Sequence, residues 1–128
     1  MPQMANITVK KADGTTDITY NALVASSGDR NPAVFRVEAA SVFPARRPRA
    51  TIATQDNGPK TARQVRFATS YPVYDANGVL LGNVPGQTMF TVPENLSVSD
   101  VAEAVHQHTN LCVTTLIRDS IKSGFAPT

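Results

Sequence analysis

The side chains with the most chemical reach in this sequence are two histidines, one cysteine and a group of arginines, and spacing decides what each can do. His106 and His108 are two residues apart. On a helix they project about 200° apart and cannot share a metal as an i, i+4 pair does. No acid cluster accompanies them for general-base work. Cys112 is the only cysteine, which excludes an internal disulfide framework and supplies too few thiolates for a structural zinc site. It lies in an apolar stretch, where a small buried core residue is expected. No Gly-x-Ser-x-Gly elbow, phosphate-binding glycine loop or paired-carboxylate motif occurs. No catalytic residue, metal or cofactor is therefore expected, and the chain is not read as an enzyme.

The arginines are more informative. Net charge is only +2, yet six of the twelve basic residues, Arg46, Arg47, Arg49, Lys60, Arg63 and Arg66, fall between positions 46 and 66 against one acid, Asp56. A local basic surface of this kind suits an anionic partner, although a solvated charged strand pair would produce the same run. Alternation sorts the cluster. On a strand from Arg49, one side carries Arg49, Thr51, Ala53 and Gln55. On its hairpin partner, Gln64, Arg66 and Ala68 point away from Val65, Phe67 and Thr69. Arginines among small and hydrogen-bonding side chains make a flat surface that contacts phosphates and admits bases. The aromatic component is weak: there is no Trp, and Tyr71 and Tyr74 fall at the strand end or beyond it.

The elements that hold these residues are mostly strands. Ile7–Lys10 and Thr16–Tyr20 flank Asp13-Gly14, a hairpin signal. Residues 26–32 read as a loop, and from Ala33 to Glu38 the residues Phe35 and Val37 oppose Arg36 and Glu38. The prolines of Phe43–Pro48 break regular structure. Arg49–Gln55 is a strand, Asp56-Asn57-Gly58-Pro59 a turn, and Thr61–Tyr71 the longest strand candidate. Residues 71–86 read as a long connection with an internal Asn-Gly turn, of the kind that docks on a partner subunit. Gln87–Val92 is the last strand.

The texture then changes. Ser97 and Asp100 form a variant capping box, with Leu96 and Val101 as a hydrophobic staple. Val101, Val105, Cys112, Leu116 and Ile117 recur at mostly three- and four-residue steps. His108 and Thr109 interrupt the stripe, predicting a bend or a break into two helices there, and Gly124 is a C-terminal cap. With 128 residues, 41% hydrophobic and 17% charged, the chain fits one globular domain over 1–128. No signal-peptide pattern or membrane-length apolar run is present, so a soluble intracellular chain without membrane contact is expected. Strands followed by helix predict an α+β fold with the helix segregated to one face.

This organisation, with Arg49–Gln55, a tight turn, Arg63-Gln64-Val65-Arg66-Phe67, and Thr91-Val92-Pro93 leading into the helix, resembles the coat proteins of single-stranded RNA bacteriophages, the levivirus group. The resemblance spans essentially the whole chain, mainly as organisation. It implies an N-terminal β-hairpin, a five-stranded antiparallel sheet and C-terminal α-helix (one kinked or two), with two subunits interlocking their helices and joining sheets edge to edge. It further implies a homodimer that tiles an icosahedral shell and binds a genomic single-stranded RNA hairpin on the inner sheet face, repressing translation of the replicase. Location would be the virion, with assembly in the host bacterial cytoplasm.

Carried over residue by residue, Arg49, Thr51, Ala53 and Gln55 match the RNA-facing strand. Gln64 and Arg66 match its neighbour, Gln87 and Met89 fall on the corresponding face of the last strand, and 72–86 match the loop gathered at the shell's symmetry axes. Val105, Cys112, Leu116 and Ile117 are expected in a shared dimer core. Ala53 stands where the family has a hydroxyl, and no Tyr is evident on the last strand. Phosphate contact therefore carries over better than any base pocket. A self-assembling protein without RNA contact stays open but leaves the basic cluster unexplained. A small β-sheet nucleic-acid-binding module also stays open, but usually interleaves aromatics with its basic residues.

Overall fold

The computed structural model describes residues 2–41 and 43–128. Six strands, β1 (Ile7–Lys10), β2 (Asp17–Val24), β3 (Ala33–Arg36), β4 (Arg49–Asp56), β5 (Ala62–Tyr74) and β6 (Leu80–Pro93), lie in sequence order in one sheet. The β1 to β5 pairings are antiparallel. Two helices follow, α1 (Val98–Cys112) and α2 (Thr115–Ser123). The α+β class and the strand-then-helix order agree with the expectation; six strands form in all, the first two making the hairpin. The chain divides into two compact units, one running to Thr91 and the other Val92–Thr128.

In the first unit, turn chemistry sets the strand ends. Asp13 accepts bonds from the backbone N–H of Thr15 and Thr16, both at 2.9 Å, and from the Thr16 hydroxyl at 2.5 Å. Gly14 supplies the left-handed residue at φ 75°. Those donors, the Thr16 hydroxyl foremost, hold the Asp13 carboxyl down at about 2. Between β4 and β5, the Asn57 side chain accepts from the N–H of Thr61 and Ala62, and Lys60, not the glycine, takes the left-handed position at φ 58°.

The stretch read as a long connection is mostly strand. β5 continues to Tyr74 and β6 begins at Leu80, leaving a turn at 75–79 in which Asp75 Oδ1 accepts from the N–H of Asn77 and Val79. Pro72 and Pro85 disguised it. The last β4 partner of β5 is Ser70, opposite Arg49, so the N–H that Pro72 lacks is not needed on that side. Pro85 sits on an edge strand, where proline is tolerated.

The buried set among the described residues is small: Ala33, Phe35, Val37, Pro48, Ala50 and Ala62. Registration explains it, because Phe35 lies between Ala22 on β2 and Ala50 on β4, one large ring flanked by two methyl groups. Met4 and Tyr20 pack against the cluster, and burial raises the Tyr20 pKa.

In the second unit, Ser97 caps α1 by accepting from the Asp100 N–H at 3.2 Å. The expected break at His108-Thr109 does not occur. The Thr109 hydroxyl bonds back to the carbonyls of Val105 and His106, and the helix passes through. The break comes at Val113-Thr114, where the Thr114 hydroxyl closes on the Leu111 carbonyl at 2.7 Å and Thr114 turns extended. Gly124 ends α2 at φ 80°. Neither helix contains a buried residue. Cys112, expected in a core, is exposed in the single chain.

Phe35 carries the one large buried side chain among the described residues, so Phe35→Ala is expected to cost about 3–5 kcal/mol. Urea unfolding followed by far-ultraviolet circular dichroism will check this; a loss below about 1 kcal/mol would mean that the core lies elsewhere.

Candidate nucleic-acid interface

Backbone registration, more than composition, defines the polar face of the sheet. The β4–β5 pairing sets Arg49 opposite Ser70, Thr51 opposite Ala68, Ala53 opposite Arg66 and Gln55 opposite Gln64. Side chains of directly opposed residues share a face, so the six candidates Arg49, Thr51, Ala53, Gln55, Gln64 and Arg66 come together. On β3, Val34 faces with Thr51 and Arg36 with Arg49. On β6, the Asn83 side chain bonds the Ser70 hydroxyl at 2.9 Å. Alternation from Asn83 then carries Pro85, Gln87 and Met89 to the same face, and the exposed Gln87 and Met89 against half-buried Thr88 and Phe90 agree with it.

The basic cluster is divided between jobs. Arg63 belongs to the other face, where it bonds Asp29 and Asp56 at 2.6 and 2.8 Å. Its bond to Asp29 is the main cause of that carboxyl's lowered pKa. Arg46 stacks over the rings of Phe43 and Tyr74, at 4.5 and 5.0 Å from their centroids. Arg47 is held by Glu38 and the Ser41 carbonyl. Arg49 and Arg66 remain: both are exposed, and neither has an ion-pair partner among the described residues. No carboxylate is found among the face positions from Val34 to Met89 named above. Two guanidinium groups therefore stand on this surface without an ion-pair partner among the described residues, and Glu38, bound to Arg36, lies only at its edge.

Local packing prepares the same surface for bases. Ala53 beside Arg66 leaves the guanidinium unobstructed. Gln55 donates its amide to the Gln64 carbonyl oxygen at 3.0 Å. That bond leaves the Gln64 amide N–H groups as donors and the Gln55 carbonyl oxygen as an acceptor for hydrogen bonds to base edges.

Sequence reasoning missed three residues of this face: Arg36, Ser70 and Asn83. The sequence sets Arg36 beside Glu38 without a neighbouring strand, and Asn83 lies in the stretch read as a connection. The alternation of Thr69, Tyr71 and Val73 around Ser70 was the available signal, masked by Pro72.

No family model and no curated protein matches the chain. Solved structures do. A virus-like particle of Beihai levi-like virus 21 is 17% identical, covering 99% of this chain and 98% of that one, with a TM-score of 0.83. The bacteriophage EMS014 coat protein is 17% identical over 99% of this chain and all of that one, at 0.81. The bacteriophage GA protein capsid is 19% identical, covering 95% of each chain, at 0.72. The fold is that of the levivirus-type coat proteins, as the resemblance in the sequence implied.

Glu38 anchors one edge of this face by binding both Arg36 and Arg47. Its carboxyl is lowered from the ordinary 4.5, the Arg36 bond being the largest cause. A depressed folded pKa gives stability that is complete above the unfolded value and lost as pH falls through the folded one. Wild-type urea midpoints should therefore drop below about pH 4.5, and Glu38→Gln should flatten that limb; identical acid limbs in the two proteins would remove Glu38 from the account.

Proposed function

We propose that this chain is the coat protein of a single-stranded RNA bacteriophage: it dimerises, assembles into an icosahedral shell and binds genomic RNA on the polar sheet face. The role is structural, not enzymatic, and residues 1–128 act as one coat-protein domain. The observation that carries the reading is the polar face on which Arg49 and Arg66 stand without an ion-pair partner among the described residues, flanked by Thr51, Ala53, Gln55, Gln64, Gln87 and Met89. Arginines there neutralise phosphates and set the register of the strand, while the glutamine pair offers hydrogen bonds to bases. A hairpin in the genome is the natural ligand, and its capture represses translation of the replicase. The protein resides in the virion after assembling in the host bacterial cytoplasm.

Apolar side chains left exposed on the helices support the dimer: Leu116 is 61% exposed and Ile121 70% exposed, and neither helix contains a buried residue. Val105, Cys112, Leu116 and Ile117 form the core shared with the second copy. The fourteen-residue edge strand β6 offers its free ladder to the partner's sheet, and the β5–β6 tip gathers at the shell's symmetry axes.

Leu116→Asp places a charge in that shared core and is expected to abolish soluble dimer; a stable monomeric variant would count against the interlocked interface. Electron microscopy of protein purified from an expressing cell, with the absorbance ratio at 260 and 280 nm, tests the whole reading. Round particles with a nucleic-acid-dominated ratio are expected. Arg49→Gln combined with Arg66→Gln should lower RNA content, and each change should reduce the salt dependence of RNA binding by about one phosphate contact. Empty wild-type particles would keep the shell and remove the RNA; small free dimers with a protein-like ratio would sink both.

A further inference from the structure

One end of the polar face is not flat. Arg36, Arg49 and Ser70 are registered straight across β3, β4 and β5, and Asn83 on β6 joins them through the Ser70 hydroxyl. Beside this row a cavity of about 420 Å³ opens, closed on its other sides by Arg47, Pro72 and Tyr74 among others. That volume lies within the range of roughly 300–1,000 Å³ typical of small-ligand sites. We infer that this cavity is a binding site for one nucleotide of single-stranded RNA, its phosphate on the three guanidinium groups and its sugar or base against Pro72 and Tyr74. The inference rests on the RNA-face reading and adds to it a site beyond the open surface around Arg66.

The electrostatics are one-sided. Three guanidinium groups line the cavity and no carboxylate does. Glu38 bonds Arg36 and Arg47, so one negative charge answers two positive ones, and Arg49 has no ion-pair partner among the described residues. Because Glu38 already holds Arg36 and Arg47, an incoming phosphate meets donors whose rotamer freedom is largely spent, which lowers the entropy lost on binding. Asn83 adds amide donors, since its carbonyl oxygen is engaged by the Ser70 hydroxyl.

The aromatic wall is also fixed. The Tyr74 hydroxyl donates to the Ala45 carbonyl at 3.3 Å, and Arg46 stacks on the ring. A held ring next to guanidinium groups is the combination that unpaired nucleotides use, stacking for the base and charge for the phosphate. Arg49 and Arg66 also sit four strand positions apart, about 13 Å. One strand of RNA can therefore run from the cavity along the sheet face without leaving the positive surface.

The test uses two measurements on the full chain. In purified particles, ultraviolet crosslinking and mass spectrometry should find a nucleotide adduct on the peptide that contains Tyr74. In dissociated subunits, Asn83→Asp keeps the bond from Ser70 but sets a carboxylate against the phosphate; affinity for a short oligouridylate should fall about tenfold. Arg66→Gln, outside the cavity, serves as the comparison. Weakening by Arg66→Gln with wild-type binding by Asn83→Asp, and no adduct at Tyr74, would overturn the cavity while leaving the face intact. Loss of all RNA binding by the wild type would overturn the face reading and this one with it. Inorganic phosphate competing as well as the oligonucleotide would show a simple anion site and overturn the nucleotide assignment.

Discussion

Everything in this chain depends on how little apolar surface one copy can cover. Six of the described residues are buried, five of them no larger than valine, and the one large ring among them, Phe35, is sandwiched by two alanines. Neither helix buries a residue. Hydrophobic burial of roughly 25 cal/mol per Å² is the main favourable term in folding, and conformational entropy opposes it at a similar scale. A chain with this distribution has little burial of its own to set against that entropy. In the coat-protein reading proposed above, folding and association are one equilibrium, in which protein concentration enters directly.

The same shortage frees the polar face. Since the sheet's apolar side chains gather on the face of Phe35 and Val65, strict alternation leaves the opposite face to small and polar residues. Charge is then sorted by the same alternation. Arg63, one position out of phase with Arg66, falls on the far face and meets two aspartates. Arg66 meets Ala53. Two arginines three residues apart thus take opposite places, one binding the fold and one standing exposed on the polar face, with nothing but strand parity to distinguish them.

That parity explains how much was legible in the sequence. Hairpin turns at Asp13-Gly14 and Asn57-Gly58, the strand Arg49–Asp56, the Ser97 cap and the Gly124 stop all follow from local chemistry, and all stand in the structure. The face candidates on β4 and β5 were recoverable because a single tight turn fixes their register. Three things were not. The β5–β6 hairpin was hidden by prolines whose harmlessness depends on where β4 ends. The helix break falls at Thr114 and not at Thr109: both hydroxyls bond a carbonyl three residues back, but Thr114 has an extended backbone and Thr109 a helical one. The partition of the basic cluster required Asp29, which is 34 residues from Arg63 in sequence and meets it only after folding.

The turn at 75–79 carries one more consequence. A side-chain carbon added at Gly78 would lie 2.4 Å from the Arg46 guanidinium, and the φ there is 80°. Two unrelated demands, a left-handed backbone and an occupied steric slot, fall on one residue. Ala76 and Asn77, its neighbours at the tip, are exposed and carry no such double restriction. Sequence drift at this tip is thereby funnelled: two positions are open to almost any side chain, while a side chain at the adjacent glycine would strain the backbone and displace the Arg46 guanidinium, so the tip can change its surface chemistry without changing its path.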